Sequence, residues 1–222
     1  MPTRLAARCE DGGVRWSVVV PVKRVEYAKT RLRDAVPGAD HDALVLALAA
    51  DTVRAVLAAP PVARVIVVTD DPRAAAELGR LGAVVIGDGP DAGLNPALAH
   101  GAAVAAEVAP ADGITVVGSD RPALRAADLA AVLDLAAAHV RSFLPDAAGT
   151  GTALLAAAPG IPLVPRFGPD SAAEHARSGA HRLGGDWASL RHDTDTAADL
   201  GVARLLGVGP RTTAVLAAAL NR

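Results

Sequence analysis

Short apolar runs alternate with longer Ala- and Leu-rich segments along most of this chain, and that alternation limits the available folds more than any other feature. SVVVPV (17–22), RVIVVT (64–69), AVVIG (83–87) and ITVVGS (114–119) have the length and branching of strands. Between and after them, Asp40 to Ala59, Pro72 to Leu81, Asn95 to Val108 and Ala123 to His139 have the length and composition of helices. Strand and helix taking turns with hardly a break predicts a single α/β domain, doubly wound around a mostly parallel sheet. The composition agrees: 51% of residues are hydrophobic but only 2% are aromatic, so the core is built from Ala, Val and Leu, as in a parallel sheet covered by Ala-rich helices. Asp71-Pro72 and Asn95-Pro96 each place a cap-competent residue before a proline suited to a first helical turn.

The pattern changes after His139. RSFLP and ALLAAA flank the Gly/Thr turn DAAGTGT, and a Pro/Gly-rich loop, PLVPRFGPDSAAEHARSGA, leads into a short helix. This segment reads as a small β-hairpin and loop insertion over the site. SLRHDTDT then returns a strand and AADLGVARLLG a helix. Residues 1–15 read as a disordered leader and 16–222 as the domain.

The net charge of −2 gives no field to hold nucleic acid or an anionic membrane, and neither is an expected partner. The single cysteine, Cys9, excludes an intramolecular disulfide and a thiolate metal cage. With no apolar signal core, and with Asp51 and Arg54 interrupting the most apolar stretch, a cytoplasmic location is expected. No GxxxxGK[ST], no GxGxxG after the first strand and no GxSxG is present, against a P-loop NTPase, a nicotinamide dehydrogenase and an α/β-hydrolase.

The 22 basic residues include only two lysines, Lys23 and Lys29, six positions apart at the end of the first apolar run. A Lys ammonium is a compact, steerable point charge suited to phosphate oxygens, whereas Arg offers a rigid fork. The expected partner is therefore a phosphorylated small molecule. Thr69 and Asp70 follow the second apolar run and Asp120 the fourth, at the edge where open parallel sheets bind ligands. Asp71 and Asp88 read as ordinary turn or cap residues. Asp120 offers a carboxylate to Mg²⁺ beside phosphates, the competing reading being a cap for a helix opening at Pro122. Asp193 and Asp195 alternate on the expected strand and offer a second carboxylate, while Thr194 and Thr196 keep a capping reading open. The Gly/Thr turn DAAGTGT and the segment RFGPDS, with Ser171 suited both to an N-cap and to an anion, offer anion-binding groups, the competing readings being a tight hairpin and a plain cap. Of the six histidines, only His175 is expected near the site.

PVKRVEYAKTRL, VVTDD, LNPALAHG, SDRPAL, LPDAAGTGTALL, PRFGPDSAAEHARSGA and LRHDTDTAADL, in this order, resemble the guanylyltransferases of coenzyme F420 biosynthesis over about residues 16 to 210. The resemblance implies a nucleotide-diphospho-sugar transferase-like fold and transfer of GMP from GTP to phosphoenolpyruvate, with 2-phospho-L-lactate or 3-phosphoglycerate as alternative acceptors. It implies that Lys23 and Lys29 hold the GTP phosphates, that Asp120 binds Mg²⁺, and that Thr152, Gly168 and Ser171 bind the phosphorylated three-carbon acid. Asn95 and the Thr69/Asp70 turn would lie near guanosine. A downstream transferase would accept the activated product, and the oligomeric state stays open, a homodimer included. Ser119 and Arg121 depart from the usual Gly and Leu of the family, which keeps a catalytically silent nucleotide-binding subunit as the alternative of another class.

Overall fold

The computed structural model describes residues 13–33, 36 and 39–220; most of the leader, residues 1–12, lies outside them. Among the described residues seven strands form one sheet in the order β3-β2-β1-β4-β6-β5-β7. The strands are β1 (Trp16–Pro21), β2 (Val62–Val68), β3 (Val84–Ile86), β4 (Gly113–Val117), β5 (Arg141–Pro145), β6 (Thr152–Ala157) and β7 (His181–Arg182). β1 to β4 are mutually parallel, β6 runs antiparallel to both β4 and β5, and β7 runs parallel to β5. The helices are α1 (His41–Leu57), α2 (Pro72–Arg80), α3 (Leu94–Val108), α4 (Ala126–Ala136), α5 (Ser171–Arg177), α6 (Ala188–Arg191), α7 (Ala197–Leu206) and α8 (Pro210–Leu220).

The period of two along each strand divides the core. Val18, Val20, Val65 and Val67 face α1, α2 and α4, whereas Val19, Ile66 and Val68 face α3. Both faces are therefore covered, which is why these strands are continuous apolar runs rather than alternating ones. Trp16 is fully buried, its indole lying where a Cβ on Gly113 would otherwise sit. The edge strands β3 and β7 have only three and two residues, too short to template pairing with another chain. Val14, just before β1, packs against the core.

Four expectations need correction. The hairpin of β5 and β6 is not a separate insertion over the site; it is part of the sheet, and only its turn, 146–151, stands at the ligand edge. Second, SLRHDTDT forms α6 and an extended segment without strand pairing. Side-chain bonds claim this stretch: Arg121 Nε donates to the Leu190 carbonyl at 2.7 Å and Arg191 Nη2 to the Asp146 carbonyl at 2.9 Å, while β7 takes the place beside β5. Third, α4 opens at Ala126, not near Pro122, because residues 121–124 close a turn through Leu124 N–H to Arg121 C=O at 3.0 Å. Fourth, Gly93 rather than Asn95 occupies the cap position of α3, and Asp170 rather than Ser171 that of α5. Asp71 caps α2 as expected, accepting from Arg73 and Ala74 N–H, and Thr196 closes a reciprocal box with Asp199 at the start of α7.

Candidate functional site

β1 and β4 are parallel neighbours, so the chain leaves both at one edge of the sheet. Beyond β1, residues 22–32 wind through two single turns of 3₁₀ helix, Val25–Tyr27 and Thr30–Leu32. Asp71 holds this segment by accepting the Val25 N–H at 2.8 Å, a second duty beside its cap. Lys29 adopts a left-handed backbone conformation, φ 51°, and its ammonium lies between the carboxylates of Asp120, 2.5 Å away, and Asp195. The other Asp120 oxygen accepts from Arg121 Nη1 at 2.7 Å. Asp120 thus caps no helix; cations hold both of its oxygens.

The support beneath is buried. Arg121 is 4% exposed and its backbone N–H donates to the hydroxyl of Thr52, in the middle of α1, at 2.9 Å. A Cβ at Gly118 would press on the Arg121 guanidinium and the Asp120 carboxylate, so a side chain in the turn after β4 would displace both. Burial pushes the Asp120 carboxyl up, but Arg121 and Lys29 outweigh it and hold it below the ordinary range. Burial likewise opposes the Lys29 charge, and Asp120 and Asp195 more than compensate, raising its pKa. Asp193 goes the other way: burial, with Asp120 and Asp195 nearby, raises it despite Arg121 and Lys29. Two carboxylates, Asp120 and Asp195, therefore converge on the position of one ammonium, an oxygen donor pair that suits a divalent cation.

Two clefts meet at Lys23 and Tyr27. One, of about 310 Å³, runs from Lys23 past Lys29 to Ser119, Asp120 and Asp195 over a floor of Val45, Leu48 and Ala49. The other, of about 330 Å³, is lined by Lys23, Arg24, Thr69, Asp70, Asp88, Asp91 and Gly93. Lys23 is exposed and makes no ion pair among the described residues. In the second cleft Asp70, Asp88 and Asp91 bring one oxygen each within 4.8 Å of one another, and Asp70 Oδ1 accepts the Asp88 N–H at 3.0 Å. Asp88, read from the sequence as a plain turn residue, stands on the cleft wall.

The expected acceptor residues gather on the far side of β4. Val117 pairs with Leu154, so Ser119, two residues onward, and Thr152, two residues back on the reversed strand, leave the sheet at one level. Thr152 Oγ1 lies 2.9 Å from His175 Nδ1, and the Arg166 N–H donates to His175 Nε2 at 3.0 Å. The Asn95 amide is engaged with the loop: its Oδ1 accepts the Phe167 N–H at 2.7 Å and its Nδ2 donates to the Phe167 carbonyl at 2.9 Å. Asn95 and His175 together fix residues 166–167, from which Gly168, at φ 142°, turns the chain toward buried Ser171. The Ala172 N–H donates to the Thr150 carbonyl at 3.0 Å, tying α5 to the hairpin turn. Sequence reasoning did not single out Tyr27, Asp91 or Thr52. Thr52 carries no local signal, since a mid-helix threonine announces nothing about a distant loop.

Residues 16–184 match the family described as guanylyl transferase CofC like. The chain belongs to this family. A phosphoenolpyruvate guanylyltransferase of Salinispora arenicola (strain CNS-205) is 60% identical to this CofC-like chain over 199 residues, 89% of the chain and 91% of the relative. One from Streptomyces coelicolor (strain ATCC BAA-471 / A3(2) / M145) is 53% identical over 205 residues, 92% and 97% respectively. Among solved structures, a nucleotidyl transferase from Methanothermobacter thermautotroptrophicus superposes with a TM-score of 0.58 at 19% identity, covering 88% of this chain and 98% of that one. A CMP:2-keto-3-deoxy-manno-octonic acid synthetase complexed with CTP gives 0.56 at 16% identity, with 86% and 98% covered. The CofC-like fold is thus that of the nucleotidyltransferases. No helix among the described residues is long and apolar enough to cross a membrane.

Proposed function

We propose that this chain transfers GMP from GTP to phosphoenolpyruvate, releasing pyrophosphate and giving enolpyruvyl-diphospho-guanosine. The observation that carries the reading is the Lys29 ammonium clamped between Asp120 and Asp195, beside a cleft that leads to unpaired Lys23. The family and the names of its relatives supply the nucleotide and the acceptor.

In this reaction a phosphate oxygen of the acceptor attacks the α-phosphorus of GTP. The bond from that phosphorus to the oxygen bridging the α- and β-phosphates breaks, and pyrophosphate leaves with the electron pair. A phosphate dianion is already a nucleophile, so no general base is needed. What the protein must do is align anions that repel one another. Lys23 and Lys29 neutralise the triphosphate, and Thr69 and Asp70 border the nucleoside end of the cleft. Thr152, Gly168 and Ser171 hold the acid. The cation is Mg²⁺, held by Asp120 and Asp195; when bound it neutralises the phosphate oxygens. Work on the same centre then falls to Arg121, which keeps Asp120 oriented through Oδ1. The product feeds coenzyme F420 biosynthesis through a downstream transferase.

The test is incubation of the protein with GTP, Mg²⁺ and, in turn, phosphoenolpyruvate, 2-phospho-L-lactate and 3-phosphoglycerate, following pyrophosphate release and product mass. Release with phosphoenolpyruvate alone, and a product equal to GMP joined to it, is the expected result. Release with 2-phospho-L-lactate instead would move the acceptor. GTP binding without release for any acid would make the Arg121–Asp120 contact the mark of a silent nucleotide-binding subunit.

A further inference from the structure

His175 is fully buried, yet it is not an idle core residue. Phe143 and Phe167 pack against its ring, with centroids 5.9 and 5.1 Å away, and no water-facing path is left to either nitrogen. Nε2 accepts the backbone N–H of Arg166 at 3.0 Å. A nitrogen that accepts carries no proton, so in the neutral ring the proton is on Nδ1. Burial first, then the positive charges of Arg141 and Arg166, lower the pKa to about 4, so the ring is neutral near pH 7. Nδ1–H therefore points toward Thr152 Oγ1, 2.9 Å away, and shares its proton with the Ser171 carbonyl one helical turn back.

That fixes the direction of the next bond. A hydroxyl has one proton to give, and a Thr152 oxygen that accepts from Nδ1–H cannot return its own proton to that nitrogen. Thr152 Oγ1 has no second partner among the described residues, and Thr152 is the first residue of β6, where the hairpin turn 146–151 enters the sheet. We infer that His175 is a positioning residue: it locks the Thr152 hydroxyl as an outward hydrogen-bond donor to a carboxylate or phosphate oxygen of the acceptor. This rests on the reading of Thr152 as acceptor-binding. An unlocked hydroxyl could turn its proton inward and present lone pairs to an anion; the neutral His175 tautomer removes that state. The backbone proton of Arg166 sets the tautomer, so the loop leading to Gly168 and the hydroxyl of Thr152 are tied through one ring.

The experiment is a kinetic and binding comparison of wild type, Thr152→Val, His175→Phe, His175→Asn and the Thr152→Val/His175→Phe double variant, with phosphoenolpyruvate binding also measured by calorimetry without GTP. Losing one donor to a charged acceptor corresponds to roughly 10- to 100-fold in affinity. His175→Phe is expected to raise the phosphoenolpyruvate KM and Kd by that factor while leaving the GTP KM within about twofold. His175→Asn, whose amide N–H can replace Nδ1–H, should recover much of the loss. The double variant should be no weaker than Thr152→Val alone, since both remove the same bond. ¹⁵N NMR of the wild type should find the His175 proton on Nδ1. A proton on Nε2, additive losses in the double variant, or equal damage to GTP and acid would overturn the inference. If Thr152→Val leaves acid binding intact, or wild type binds no acid, the assignment of the acceptor site fails, and the inference with it.

Discussion

Lys23 and Asp120 are both expected to serve turnover, but the structure separates how each can be tested. Lys23 is exposed and unpaired, so Lys23→Ala should leave stability within about 0.5 kcal/mol while cutting pyrophosphate release by about 100-fold or more. Asp120→Asn is not clean. It strips one partner from Lys29 and one from buried Arg121, and should cost about 2 kcal/mol of stability in a urea melt besides its effect on turnover. Equal melts for the two variants would contradict the paired arrangement. Lys29 makes a sharper point: its ammonium occupies the place where Asp120 and Asp195 would hold a cation. Lys29→Met should therefore bind Mn²⁺ more tightly, by about tenfold, in a titration without nucleotide, even as turnover falls. Weaker Mn²⁺ binding would mean that the two carboxylates do not form the metal site.

At the scale of elements, the sequence was most readable where one segment carries its own signal. The apolar runs located β1, β2, β3 and β4 to within one or two residues, and Asp71 before Pro72 marked a real cap. It misled where distant groups decide: Asn95 has the chemistry of a cap but spends its amide on Phe167, 72 residues away, and Arg121 and Arg191 pull residues 187–195 out of the sheet. The site shows the same division. Lys23, Lys29 and Asp120 stand out by residue type and by place at strand ends, whereas Thr52 under Arg121 is visible only after folding. Helix packing has a comparable hidden requirement. Gly101 in α3 sits where a Cβ would be 2.7 Å from Val19 and 2.8 Å from Val68, while Gly201 in α7 faces open space. Alanine in place of glycine gains roughly 1 kcal/mol of helix propensity at either position, but overpacking the α3–sheet contact costs about 1–3 kcal/mol. Gly201→Ala should therefore raise the unfolding midpoint and Gly101→Ala lower it or leave it flat. A gain at both would show that α3 can lift off β1 and β2 without penalty.

Over the whole molecule, the site depends on a helix far from it in sequence. α8 packs on α1 through Leu216, in a cluster with Leu32, Leu44, Leu48 and Leu200. Leu48 is also part of the floor of the cleft at Lys29 and Asp120, so the C-terminal helix backs the wall on which the phosphates are expected to lie. One buried side chain fixes the register of this contact. Asp51, in the middle of α1, accepts the N–H groups of Arg211 at 3.1 Å and Thr212 at 2.7 Å, acting across the fold as the cap that α8 lacks locally. The Gly209 N–H donates to the Pro122 carbonyl at 2.8 Å, joining the same helix start to the turn beyond Asp120. An N-cap carboxylate contributes about 1–2 kcal/mol, and its removal would leave the buried Thr212 N–H without its acceptor. Asp51→Ala should therefore lower stability by about 2 kcal/mol, and the protection of α8 amides against hydrogen exchange should fall more than that of β1 amides. Because Leu48 still packs in the folded majority, kcat should stay within about twofold at temperatures well below the melt. A large loss of kcat with unchanged α8 protection would instead mean that Asp51 acts on the site directly and not through the docking of α8.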